Sequence, residues 1–427
     1  MEPTKPTRAR QWVIFFAVTL SIITYIDRVC MSQAAGDIQR DLHFNKEDMG
    51  WVFAAFAVAY GLFEIPGGWM GDRFGPRRTL LRVVLWWSVF TAATGRAWNL
   101  TSMAVCQFLF GAGDAGCFPN LSKAFTIWLP TRERLRAQGI MWLSARWGGA
   151  FTPLLVVWVL SFTNWRNAFL LFGLLGIVWA FFFYRWFRDN PNRHPEVNAA
   201  ELALLDGAEK NAAHHGHVPW RRFLASPTVW LLWLQYFCVS YSWYFYITWL
   251  PTYLREARHV ELAKGALLSG VPLFFGGIGC FVTGLITSRV AVWLNNTAQA
   301  RRLMAFIGLM GAALMLVLST RIQSPTLAIV LLGLASFAND LSVPCGWAAC
   351  MSVGGRFAGS VSGSMNMAGQ LGGAVGGVAV AQILKYSGDN WVLTFWVAAG
   401  VYLVAALSWV FIDPVTPLDE KEPMKAL

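Results

Sequence analysis

Gly67-Gly68-Trp69-Met70-Gly71-Asp72-Arg73-Phe74-Gly75-Pro76-Arg77-Arg78 is the stretch on which the fold turns. Its glycines permit close helix approach. Asp72 is able to accept at a helix N-terminus or from an arginine, and Arg73, Arg77 and Arg78 fix one side of the chain by charge. A basic turn of this kind has the logic of a conformational latch between two apolar spans, and apolar spans flank it. Runs such as 82–95, 167–184, 303–319 and 392–412 each come near the roughly 20 residues that cross a bilayer as helix.

The whole composition agrees. Of 427 residues, 56% are hydrophobic and 13% charged, against roughly 25% charged in an average soluble domain. Such a chain cannot cover itself with a water-soluble surface, so the membrane is its solvent and every backbone polar group must be satisfied inside helices. The basic start, Met1 to Arg10, followed by an apolar run, superficially resembles a secretory signal. The run is too long and continues into Asp27 and Arg28, so it reads as a retained first span. All seven cysteines (Cys30, Cys106, Cys117, Cys238, Cys280, Cys345, Cys350) fall inside spans without a CxxC pair, which suggests neither a disulfide framework nor a zinc site. No cofactor is indicated.

The net charge of +11 points to orientation rather than to nucleic acid. Lys5, Arg8 and Arg10, then Arg73, Arg77 and Arg78, then Arg132, Arg134 and Arg136, then Arg221 and Arg222, then Arg301 and Arg302 occupy alternate loops, while Asp37, Asp41, Glu47 and Asp48 mark the opposite side. By the positive-inside rule this is a multi-pass protein of the cell (inner or plasma) membrane with both termini cytoplasmic.

Outward from the latch, the pattern predicts twelve spans: 12–35, 49–69, 80–97, 100–124, 135–160 and 167–187, then 228–252, 264–288, 302–320, 326–351, 357–385 and 391–413. The expected domains are a six-helix bundle over 1–187, a cytoplasmic linker over 188–226 with a surface helix near 196–212, and a second six-helix bundle over 227–427. The cluster His214, His215 and His217 reads as solvated linker. Thr24-Tyr25-Ile26-Asp27 faces Thr248-Trp249-Leu250-Pro251, and Arg146-Trp147-Gly148-Gly149-Ala150 faces Gln370-Leu371-Gly372-Gly373-Ala374, both at an offset of 224 positions. Two matches at one offset argue for repeated halves, with a binding site on the pseudo-axis near mid-membrane.

An ionisable group at a helix centre costs about 2.5 to 3.5 kcal/mol on insertion scales. The spans nevertheless hold Asp27, Arg28, Glu64, Asp114, Arg146 and Asp340. Burial favours the protonated form of a carboxylate and a nearby arginine favours the ionised form, so Asp27 and Asp114 are the candidate proton carriers. Arg28 and Arg146 are the candidates for gripping an anion, since a guanidinium stays charged and offers two parallel donors. Tyr25, Tyr60 and Asn366 are placed to meet hydroxyls, and Gln370, four residues after Asn366, shares its helix face. Glu64, beside the latch, reads as a gate or salt-bridge residue. Asp340 stays open between a third titrating group and one facing a polar pocket. Trp142, Trp243 and Trp347 are candidate cavity-lining residues among 23 tryptophans and 31 phenylalanines.

The 67–78 stretch resembles the signature of the major facilitator superfamily, and the closer resemblance is to its anion:cation symporters, which include bacterial galactonate, glucarate and hexuronate permeases and vesicular sialic acid and glutamate carriers. Tyr25-Ile26-Asp27-Arg28, Glu64-Ile65-Pro66-Gly67-Gly68-Trp69, Gly111 to Pro119, and Asn366 to Gly373 carry it across nearly the whole chain. The resemblance implies protonation at Asp27 and Asp114 and substrate contacts from Arg28, Tyr25 and Tyr60. Where the family usually has Glu in span 4 with Arg seven residues earlier, this chain has Asp114 and Gln107. Where the sugar-acid permeases tend to have Gln in span 5, it has Arg146, so that Arg146 is expected to pair with Asp114 or to bind a second substrate charge. The span 10 Trp common in that subgroup falls at Gly346, beside Trp347. The second-half latch keeps Gly284 and Arg289 but has Ser288 in the acidic place.

The expectation is an all-α major facilitator fold that moves a small organic anion, such as a sugar acid, together with protons by alternating access. Monomer is the default for this architecture. Aromatic-carboxylate or phosphate-type carriage and an uncoupled transporter-like receptor are the rivals. A membrane enzyme is excluded for want of HExxH, GxSxG or any histidine in a span.

Overall fold

The computed structural model describes residues 5–205, 217–260 and 268–418. Helix makes up 84% of it, and no strand occurs among the described residues. Spans 1 to 3 are single helices, α1 (Ala9–Leu42), α2 (Lys46–Phe74) and α3 (Pro76–Thr94). Span 4 is broken into α4 (Leu100–Asp114) and α5 (Cys117–Trp128), and spans 5 and 6 are α6 (Thr131–Leu160) and α7 (Trp165–Trp186). Span 7 divides into α8 (Pro227–Thr248) and α9 (Leu250–Glu256), with α10 (Val271–Trp293) and α11 (Thr297–Ser319) following. Span 10 breaks into α12 (Pro325–Asp340) and α13 (Val343–Gly354), and α14 (Ala358–Ser387) and α15 (Trp391–Phe411) complete the set.

Helix starts follow local chemistry. Asn45 and Asp48 close a capping box on α2, and Asn99 and Ser102 close one on α4, each satisfying backbone donors left open at a helix start. Between α2 and α3, Gly75 has φ +82°, a conformation that essentially only glycine adopts, so the latch turn is coded by one residue. Most span boundaries lie within a few residues of expectation. The breaks do not, because Gly116 and the prolines Pro119 and Pro344 interrupt helices inside apolar runs whose composition never changes.

The two bundles repeat one another's packing. In the first, α1 lies on α6, α2 on α4, and α3 on α4 and α7; in the second, α8 lies on α14, α10 on α12, and α11 on α12 and α15. These are the partners that a six-plus-six duplication would pair. The bundles meet along two seams, α2 against α14 and α6 against α10. Outward, Leu154, Val157, Trp158, Phe181, Phe182 and Val378 are exposed, an arrangement that hydrocarbon rewards and water penalises.

Residues 188–205 pack on the first bundle. Arg188 O accepts from Trp128 Nε1 at 2.9 Å, Asp189 Oδ1 accepts from the Arg77 backbone N at 2.8 Å, and buried Glu201 pairs with Arg10 at 2.7 Å. Burial pushes the Asp189 carboxyl above the usual range, against the backbone N–H and guanidinium of Arg77. In place of the expected helix from 196, only Ala199–Leu202 is helical and turns follow to 205. The rest of that expectation, with His214 and His215, lies outside the described residues. No three metal-ligating groups converge among the described residues.

Candidate functional site

Arg28 on α1 is the hub. Its Nε donates to Asp114 Oδ2 at 2.6 Å, and Asp114 stands on the last residue of α4. Its guanidinium carbon lies 4.3 Å from the Tyr60 ring centre, with Tyr25, Phe56 and Phe118 at 5.8, 5.7 and 5.9 Å. Aromatic faces attract a cation, by about 2 kcal/mol where both are desolvated. Arg28 Nη2 and Asp114 Oδ1 have no hydrogen-bond partner. The Asp114 side chain is 1% exposed and that of Arg28 20%. The cation is therefore held in a rigid cage, keeps a spare donor, and is reachable from one side.

Asp27 is next to Arg28 in sequence but about 100° round the helix, which turns it toward α3. It is buried, and neither carboxyl oxygen makes a hydrogen bond. The indole of Trp87 and the carboxylate of Asp114 face it. An ionised carboxylate left without a partner in a dry core costs several kcal/mol, whereas a neutral acid costs far less.

Glu64 joins this cluster instead of standing apart as a gate beside the latch. It is fully buried; Asn366 on α14 donates to its Oε1 and contacts Tyr60 OH at 3.3 Å, while Oε2 has no partner. Four residues along the same face, Gln370 Oε1 accepts from Tyr244 OH at 2.5 Å. Asn366 reaches the α2 residues Tyr60 and Glu64, while Gln370, four residues on, bonds Tyr244 of α8. Tyr244, and Tyr236, which accepts from Trp347 Nε1 at 3.1 Å, were not among the sequence candidates. Tyrosines are common in apolar helices, and nothing in the local sequence sets these two apart.

Arg146 does not meet Asp114. Its Nε and Nη2 donate to Asp340 Oδ2 and Oδ1 at 2.7 and 3.1 Å, a two-point pair joining α6 to the end of α12. Asp114 is taken by Arg28, so Arg146 does not replace a span 4 arginine. Gln107, at that arginine's position, donates instead to Thr94 at 3.1 Å. Trp243 covers the Arg146 guanidinium at 4.0 Å, Trp142 lies at 5.7 Å, and Trp347 stacks obliquely on Trp142 with ring centres 5.3 Å apart. Tyr25 faces both arginines.

The latch closes one end of the cluster. Asp72 accepts from the Gly359 and Ser360 backbone N–H groups at 3.0 and 2.7 Å and from Ser360 Oγ at 2.7 Å, which fills donors left open in the first turn of α14. Its cationic partner is Lys123 at 3.5 Å, whose Nζ also donates to Arg356 O. A lysine inside an apolar span is an audible signal that the list of charged span residues missed, because Lys123 falls at the end of span 4. Gly68 lets α2 touch α14: a Cβ there would lie 2.7 Å from Gly359 C. Arg73 packs over Trp69 and Phe74, Arg77 donates to Tyr184 O at 2.7 Å, and Arg78 is exposed. These three arginines do not reach Asp72.

A probable sulfoacetate transporter of Cupriavidus necator is 34% identical over 97% of this chain and 96% of its own length. A probable galactarate/D-glucarate transporter of Escherichia coli is 28% identical over 96% and 94%. The solved structure of a proton:xylose symporter bound to 6-bromo-6-deoxy-D-glucose superimposes with a TM-score of 0.78 over 96% of this chain and 98% of that one, at 11% identity, a likeness of fold alone. The profile of the Major Facilitator Superfamily matches residues 17–377. By that match, by its relatives and by its two repeated bundles, the chain belongs to the major facilitator superfamily, a family of membrane transporters rather than enzymes.

Proposed function

We propose that the protein is a proton-coupled symporter of small organic anions, of the sugar-acid class, that works by alternating access as a monomer in the cell membrane with both termini cytoplasmic. The observation that carries this reading is the caged Arg28: one donor occupied by Asp114, one donor free, and the unpartnered carboxyl of Asp27 next to it. An anion arriving at Arg28 competes with Asp114, and the displaced carboxylate is stabilised by a proton. Asp27 holds a second proton wherever it is sealed from water. Binding of the anion and of protons then favour each other, and this linkage is reciprocal. Tyr25, Tyr60, Asn366 and Gln370 supply polar contacts to substrate hydroxyls. The Glu64–Asn366 contact and the Asp72 cap tie the bundles on the latch side, within expected domains of 1–187 and 227–427 joined by 188–226.

A second reading, a short sulfonate-carboxylate dianion as substrate, is supported by the second arginine, Arg146, and by the name of the 34% identical relative. Uptake into proteoliposomes under an imposed proton gradient separates the two, with labelled galactonate, glucuronate, glucarate and sulfoacetate offered in parallel. Accumulation of a sugar acid against its gradient, abolished by Asp27→Asn, is the expected result. Accumulation of sulfoacetate alone selects the second reading, and binding without accumulation removes proton coupling.

A further inference from the structure

Spans 4 and 10 occupy equivalent places in the two bundles, and both break directly after an aspartate: α4 ends at Asp114 and α12 ends at Asp340. Each aspartate holds one arginine, Arg28 at 2.6 Å and Arg146 at 2.7 Å. Both carboxylates are buried, and Tyr25 faces both guanidinium groups. Resting on the reading of a proton-coupled anion symporter, we infer that Asp340 is an internal stand-in for a second substrate anion: a dianion takes Arg146 from it, and Asp340 keeps a proton in exchange.

The surroundings of Asp340 suit both states. Ionised, its two oxygens meet the two donors of Arg146, and Asn339 Nδ2 donates to Oδ1 at 2.7 Å. Released, it needs a place for a neutral acid. Asn339 Oδ1 is a buried acceptor without a partner and Ser336 Oγ a buried hydroxyl without one, while the buried hydroxyls of Tyr246 and Tyr402 face each other nearby. Ser336 Oγ and Asp340 Oδ2 lie 2.8 and 2.6 Å from one point, the place where a Cβ on Gly276 would sit, so the two groups adjoin. The titratable groups facing Asp340 are Arg146 from α6, Cys280 from α10, Tyr246 from α8 and Tyr402 from α15. Arg146 is the one cation among them. Leaving Asp340 ionised after Arg146 is taken would strand a buried charge, which is strongly unfavourable.

The exchange balances. Before it, Arg146 carries +1 and Asp340 −1; after it, Arg146 faces the substrate's second anionic group and Asp340 is neutral, with one proton drawn from solvent. Asp340 joins the bundles through Arg146, so the same event unties α6 from α12. A monoanion seated at Arg28 leaves the Arg146–Asp340 pair intact.

The test measures protons taken up per ligand bound by the purified full chain, by calorimetry in buffers of different ionisation enthalpy. The probes are galactonate and galactarate, six-carbon acids that differ by one carboxylate. Wild type is expected to take up one more proton with galactarate than with galactonate. Asp340→Asn, an isosteric change, is expected to erase that difference while keeping galactonate binding and its proton uptake. Equal uptake for both acids in wild type, or a difference that survives Asp340→Asn, overturns the inference. If Asp340→Asn does not fold, Arg146→Gln decides by the affinities from the same calorimetry: it must lower galactarate affinity at least tenfold more than galactonate affinity, and an equal loss for both acids overturns the inference. Wild type that binds neither acid nor sulfoacetate defeats the symporter reading itself, a separate outcome.

Discussion

The two seams between the bundles close by different physics. Along α2 and α14 the contact is polar and directional: Asp72 fills the open donors of α14, and Asn366 donates to Glu64. Along α6 and α10 the contact near the latch side is backbone on backbone. A Cβ on Gly139 would lie 2.6 Å from Cys280 O and 3.0 Å from Gly284 Cα. Farther along, Trp147 stacks on Phe274 with centres 5.2 Å apart and donates to its carbonyl at 3.2 Å. The start of α6, behind Pro130, receives no side-chain cap, and Ser288 at the acidic place of the second latch is exposed. A cap can be undone by a change of charge or of solvation, whereas a glycine contact separates only by moving the helices. In the proposed alternating-access cycle the α2–α14 seam switches and the α6–α10 glycine contact slides, with the Arg146–Asp340 pair a charged tie beside it.

The sharpest way to break that contrast is bulk in the glycine seam. Gly139→Leu is expected to lower uptake by more than about tenfold at normal expression, because overpacking by about 1 to 3 kcal/mol falls on the closed state alone. Uptake within twofold of wild type would mean that the seam does not close in the cycle.

Next in size is the cap. Asp72→Asn removes a charge from a helix start and from beside Lys123, and is expected to cost the closed latch about 1 to 2 kcal/mol and uptake about tenfold. The double variant Asp72→Asn/Lys123→Gln should recover part of the loss, since the charge that Asp72 balances is removed with it. A double variant whose loss equals the sum of the losses from Asp72→Asn and Lys123→Gln would show that Lys123 works apart from Asp72.

The smallest effect is expected from the idle latch. Ser288→Asp, on an exposed residue with no helix start to cap, should change uptake by less than about twofold. A large gain or loss would show that the second seam also switches by charge.

The central cluster was legible in part because its members are local. Tyr25, Asp27 and Arg28 fall within four residues of one helix, and Asn366 and Gln370 within one turn of another, so spacing alone placed them. The partners were not legible. Arg146 and Asp340 are 194 residues apart, Asp72 and Gly359 287 apart, and Glu64 and Asn366 302 apart. The span 5 arginine was expected at Asp114 or at a second substrate charge; Arg28 holds Asp114, and with four carboxylates in the spans nothing local pointed to Asp340. Glu64 read as a latch residue because it stands three places before Gly67; one and a bit turns of helix instead carry it back into the cluster with Tyr60.

By itself the sequence determined the solvent of this chain, its twelve spans, their duplication and the short roster of charges that had to be sheltered within them. These follow from hydropathy and spacing, which are local properties of a helix. Which arginine meets which carboxylate, where spans 4 and 10 break, and what Asp72 caps were decided only in the tertiary structure. Those contacts depend on how two bundles pack, and a buried charge takes whichever partner that packing brings within reach.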